Sequence, residues 1–213
     1  MAHLGVRTPV RRRLVRSGFS FTDGSPDEVL NDWDALWWRA DCAEILFSVL
    51  DHYREDLRRR LPDGFWDRAR RWVDRVDNWA HADDLARVYS FVVEAAFADV
   101  RPDLDRWNAA EDGWERRISI VSLVHYSGRD AVFLPPEVML PYLEAGVEDD
   151  RAIVQNAVGW VLRELSRHHP EATVDLLSRR GSGLTPAAWR RAVERLDPEV
   201  AASLPRPTGS RRR

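Results

Sequence analysis

The chain has 213 residues, of which 44% are hydrophobic and 31% charged, and carries a formal net charge of -3; this is the make-up of a folded globular chain and excludes a wholly disordered one. Charges interrupt every apolar run, as Glu94 does after residues 88–93, so no stretch approaches the roughly 20 residues of a membrane-spanning helix. A single cysteine, Cys42, permits neither an internal disulfide nor a thiolate zinc site and points to a reducing, cytoplasmic setting.

From the N-terminus, residues 1–22 contain Arg7, Arg11, Arg12, Arg13 and Arg16 and no acid. They lack the apolar centre of a secretory signal and are read as part of the fold. Thr8-Pro9 marks a first helix start, a hydroxyl acceptor followed by a proline where the helix needs no N–H; Ser25-Pro26 and Thr185-Pro186 repeat the signal. Further amphipathic segments run over about 41–51, 64–76, 80–99, 112–126, 137–145, 150–168 and 171–180. In the strongest of them Val154, Val158, Val161 and Leu165 form one apolar stripe at helical spacing. No Asn-Gly or Asp-Gly pair joins two alternating runs, so strands are not expected. The expected fold is all-α, a superhelical solenoid of antiparallel helix pairs whose weak self-similarity fits HEAT-like repeats. One domain is expected over residues 1–204, with 205–213 a flexible basic tail.

The two ends distort the charge balance. Nine arginines in the first 18 and last ten residues leave residues 19–203 at -12, and all 32 basic residues are arginines. An acidic total by itself argues against nucleic acid, so DNA binding would require the arginines to be gathered on one face.

Phosphate-cradling Gly-Lys loops, G-x-G-x-x-G and H-E-x-x-H are all absent from the sequence, which removes the motif support for nucleotide hydrolysis and zinc peptidase chemistry. His168 and His169 are adjacent, about 100° apart on a helix, and suit a solvated helix end better than a shared metal. Gly181-Ser182-Gly183 reads as a turn. Three segments stand out. Trp79 and Asp83 are four apart and share a helical face; the indole is either core or an aromatic wall beside an anion, and the carboxylate is either Arg87's partner or a reactive group. Arg116 and Arg117 open a helix whose Ile118, Ile120, Val121 and Val124 read as buried, which makes the arginines snorkelling side chains or phosphate clamps. Trp160, Arg163 and Arg167 share a stripe beside the apolar one, with Gly159 allowing close backbone approach.

Taken in order, Leu4-Gly5-Val6-Arg7-Thr8-Pro9 with Arg11-Arg12, Trp79 with Asp83, Trp114 with Arg117, and the run from Ala157 to Glu164 resemble the AlkD-like DNA alkylation repair family, from near residue 4 to about Leu196. Members commonly carry a further helical segment ahead of the first motif. The resemblance implies a HEAT-like-repeat DNA glycosylase that removes cationic N3- or N7-alkylated purines from duplex DNA. It implies Trp79, Asp83 and Trp160 as active-site residues, Arg117 as a phosphate contact and Arg163, on the helix of the second tryptophan, as a DNA contact; Arg116, next to Arg117, and Arg167, on the stripe of Arg163, are expected to bind DNA with them. Such an adduct is already a good leaving group, so a general acid is dispensable; a fixed carboxylate stabilises positive charge on the sugar and orients water. Two indoles would favour the cationic adduct. No metal or organic cofactor is expected, and the setting implied is a monomer associated with the nucleoid of a bacterial cytoplasm, with no membrane partner. The competing expectations are a non-catalytic relative binding branched or distorted DNA and a protein-interaction scaffold.

Overall fold

The structure, a computed structural model, describes residues 1–57, 60–125 and 130–207. It is all-α, as the periodicity predicts: eleven helices and three short 3-10 turns among the described residues, with only two isolated β-bridges, Ala2 to Cys42 and Val124 to Val132. The chain divides into two compact units, residues 1–100 and 101–213. None of the described helices is long and apolar enough to cross a membrane.

In the first unit α1 (Thr8–Ser17) and α2 (Pro26–Arg39) both pack on α3 (Ala43–Asp56), followed by the one-turn α4 (Phe65–Ala69) and the start of α5 (Trp79–Asn108). The core is aromatic. Trp37 stacks on Trp72 at 5.1 Å, and Tyr53 and Phe65 close around Trp72. Asp34 accepts the indole N–H groups of Trp72 at 2.7 Å and Trp38 at 3.2 Å, so neither of these two donors is left unpaired. The α2 start is as predicted: Ser25 and Glu28 cap each other reciprocally. At α1, however, Arg7 rather than Thr8 is the capping position, and no side chain caps it. The segment predicted over 64–76 is two pieces, α4 and a 3-10 turn at Trp72–Arg75. The segment predicted to end at residue 99 runs on to Asn108 and is broken at Ala96 (φ -146°, ψ 47°).

The N-terminal segment is fastened to this unit by charge. The backbone N–H groups of Leu4, Gly5 and Val6 all donate to the Glu44 carboxylate at 2.9–3.3 Å. Gly5, at φ 75°, supplies the left-handed residue that turns three successive amides to one side. The Leu4 amide leads in holding the Glu44 carboxyl below its ordinary range.

The second unit is organised around α8 (Ala152–Leu165), which touches α6 (Gly113–Val121), α7 (Pro136–Val147), α9 (Pro170–Arg180) and α10 (Pro186–Ala192); α11 (Pro198–Ser203) follows. The predicted stripe Val154, Val158, Val161 and Leu165 is completely buried, each side chain contributing about 1.5–3 kcal/mol. Thr185 caps α10 through Ala188 N–H, as predicted. Pro205 and Arg206, the start of the expected tail, lie against Trp189: the Pro205 carbonyl accepts its indole N–H at 3.0 Å and the Arg206 guanidinium sits 5.6 Å from the ring. Residues 208–213 of that tail, and Tyr126 at the end of the segment predicted over 112–126, lie outside the described residues.

Candidate functional site

Trp79 is the first residue of α5, and 67% of its surface is exposed. Of the ten tryptophans it alone falls in the exposed class, so core packing does not account for it. What holds it is the residue before. Asn78 Oδ1 accepts the N–H groups of Ala80 and His81, a helix cap. With the oxygen so used, Nδ2 is the donor, to Asp77 Oδ1 at 2.8 Å and to His81 Nδ1 at 2.8 Å. His81 must therefore be neutral, with Nδ1 accepting. It is 1% exposed and lies 4.4 Å from the Phe47 ring, and burial lowers its pKa. An exposed indole thus follows a capped helix start backed by a buried histidine, whose Nδ1 is engaged and whose buried Nε2 has no hydrogen-bond partner among the described residues.

Asp83 follows one turn later and is half-buried. Arg87, the partner that the spacing offers Asp83, ion-pairs also with Asp84 at 3.2 Å. Burial first, opposed by Arg87, raises the Asp84 pKa. Within the first unit, then, a partly shielded carboxylate and an exposed indole share one face of α5, as the spacing of four predicts.

In the second unit Asp112 caps α6, accepting from Trp114 N–H at 2.6 Å and Glu115 N–H at 3.2 Å. Ile118, Ile120, Val121 and Val124 are buried as predicted. Arg117 donates to the Ile153 carbonyl in the first turn of α8 at 2.6 Å, an arrangement that orients the guanidinium. Arg116 has a different setting: it pairs with Asp149 at 3.2 Å and donates to the Ala110 carbonyl at 2.6 Å. Burial works against the Asp149 charge, but the hydrogen bonds from Arg151 win and its pKa is lowered.

Trp160 is half-buried on α8, beside fully buried Val158 and Val161. Gly159 permits the close approach the sequence suggests, and the neighbour is α10: a Cβ there would overlap the Ala188 backbone carbonyl. Arg163 is held by Glu164 at 2.9 Å and Glu194 at 3.0 Å, and Glu164, 1% exposed, also takes Arg195 at 2.7 Å. Any phosphate at Arg163 therefore competes with two carboxylates already in place. Arg167 lies beyond the end of α8 in an exposed turn, so the regular stripe through Trp160 and Arg163 does not reach it. Asn78 and His81, which fix the start of α5, escaped sequence reading, although an asparagine directly before an amphipathic run is a capping signal.

Among the described residues no cluster of three or more His, Cys, Asp or Glu side chains could hold a metal ion. Residues 1–196 match the family model described as DNA alkylation repair enzyme, and the chain belongs to that family. No curated protein matches it. The fold is shared with a solved structure described as a predicted DNA alkylation repair enzyme from Enterococcus faecalis, at 18% identity and a TM-score of 0.71 over 91% of this chain and 88% of that one. It is shared also with AlkD2 from Streptococcus mutans, at 14% identity and a TM-score of 0.62 over 91% and 92%.

Proposed function

We propose that this protein is a monomeric, monofunctional DNA glycosylase that hydrolyses the N-glycosidic bond of cationic N3- or N7-alkylated purines in duplex DNA. The observation that carries the reading is the exposed Trp79 one turn ahead of half-buried Asp83, in a chain of the DNA alkylation repair family. The alkylated base leaves with the bonding electron pair, which neutralises its own positive charge, so no proton donor is needed. Positive charge appears instead on the deoxyribose. Asp83 stabilises that charge and accepts a proton from the water that attacks the sugar carbon, and partial burial strengthens the attraction. Trp79 and Trp160 offer aromatic faces to the cationic adduct and the sugar, and Arg117, oriented by the Ile153 carbonyl, takes a backbone phosphate. Arg163, Arg116 and Arg167 add positive charge along the DNA, the first two only in exchange with their present carboxylates.

Single-turnover release of 7-methylguanine from duplex DNA tests the reading. Asp83→Asn is expected to slow release on the order of a hundredfold or more while DNA binding survives. Near-normal release by that variant, or none by the wild type, overturns it.

A further inference from the structure

The first unit contains a charge cluster that none of the roles above uses. Arg11 and Arg12 of α1 both donate through Nε to Asp51 of α3, at 2.9 and 3.1 Å, and Arg54 reaches the same carboxylate at 3.2 Å. Asp51 is 4% exposed. The charges of Asp84 and Arg87 on α5 act on Arg54 as well, so three helices contribute to one assembly. By distance, three guanidinium groups surround the one buried carboxylate of Asp51, with Glu55 at the solvent edge, 3.8 Å from Arg54. The assembly is short of negative charge. Burial and then the neighbouring Arg12 depress the Arg54 pKa, the direction that crowded cations produce.

Arg12 is where that deficit meets solvent. Its side chain is 33% exposed, against 9% for Arg11 and 12% for Arg54. Only its Nε is committed to Asp51, and its two Nη groups make no hydrogen bond among the described residues. A guanidinium anchored at Nε has its fork fixed before a ligand arrives, and little side-chain entropy remains to be lost on binding. An oxyanion with two acceptor atoms fits that fork.

We propose that Arg12, anchored by Asp51 and backed by Arg11 and Arg54, is a preorganised seat for a backbone phosphate of duplex DNA. This rests on the reading of the chain as a DNA-binding repair enzyme, but not on base release. The neighbouring Arg13, on the same helix, is exposed and has no anchoring carboxylate among the described residues. It is therefore a control of equal charge.

Affinity for a short undamaged duplex is measured against salt for the wild type, Arg12→Gln and Arg13→Gln, well below the melting of the least stable protein. Asp51 keeps Arg11 and Arg54 in the Arg12 variant, so both variants are expected to melt close to the wild type. Arg12→Gln is expected to lower the slope of log affinity against log salt by about 0.9, the loss of one phosphate contact. Arg13→Gln is expected to lower it by less than half as much. Equal losses in the two variants, or an unchanged slope in Arg12→Gln, overturn the proposal. A wild type that does not bind the duplex overturns it together with the repair reading. Binding with the predicted slopes but without base release leaves this site standing and removes only the glycosylase assignment.

Discussion

The two tryptophans proposed to contact the lesion are mounted in opposite ways. Trp79 stands at the exposed start of α5, and everything that fixes it lies beneath and before it, in Asn78 and His81. Trp160 sits within α8, flanked in sequence by a glycine pressed against α10 and a fully buried valine. One indole is carried on a capped helix end, the other grows out of a packed core. Loss of function at the first therefore reports on chemistry, whereas loss at the second mixes chemistry with folding.

The sharpest way to expose that difference is Gly159→Ala. Its Cβ would overlap the Ala188 carbonyl, which is backbone and cannot rotate away, so α8 and α10 must separate. A loss of about 3 kcal/mol is expected in chemical denaturation, the upper part of the range for overpacking. An unchanged midpoint would show that the contact around Trp160 is slack. Next in size is the pair Trp160→Ala and Trp79→Ala. Truncating half-buried Trp160 is expected to cost about 2 kcal/mol, below the 3–5 of a fully buried aromatic. Trp79→Ala, at an exposed site, is expected to stay within about 0.5 kcal/mol. Both are expected to lose base release, and a Trp79→Ala variant that melts early but excises normally would reverse the comparison.

The smallest effect concerns pH. The folded His81 pKa lies below its ordinary value of 6.5, chiefly through burial, with Asp77 opposing. His52 is lowered by burial too, with Asp56 opposing. The unfolded chain therefore takes up protons that the fold refuses. The stability involved is fully present above about pH 6.5 and is lost as pH falls through the depressed folded values, by at most about 1.4 kcal/mol per pH unit for each histidine. His81→Gln is expected to remove its share of that slope and leave that of His52. An identical slope in the variant would mean that Nδ1 of His81 is not the acceptor that holds Asn78.

Much of this was legible in the residues. The valine and leucine spacing on α8 forced a buried stripe, and Ser25-Pro26-Asp27-Glu28 spelled a reciprocal cap. Thr8-Pro9 carries the same chemistry but starts no cap, because the chain ahead of it is already turned toward Glu44 and Arg7 takes the capping position. The break at Ala96 has no local signal; it falls in the run Glu94-Ala95-Ala96-Phe97, without glycine or proline. Spacing placed Trp79 and Asp83 on one face, but exposure is a tertiary fact that no periodicity shows. The carboxylates that hold Arg163 and Arg116 were only partly legible: Glu164 adjoins Arg163, but Glu194 and Asp149 lie 31 and 33 positions from their arginines.

The grip of Leu4, Gly5 and Val6 on Glu44 also sets an order of events during synthesis. These amides leave the ribosome before their acceptor, which lies 38–40 residues downstream. At about 5–20 residues per second they wait roughly 2 to 8 seconds before it is translated. Arg11 waits as long for Asp51. The N-terminal strap is thus made about 40 residues ahead of the carboxylate that fastens it, and a nascent chain stalled before residue 44 would leave it with nothing to hold.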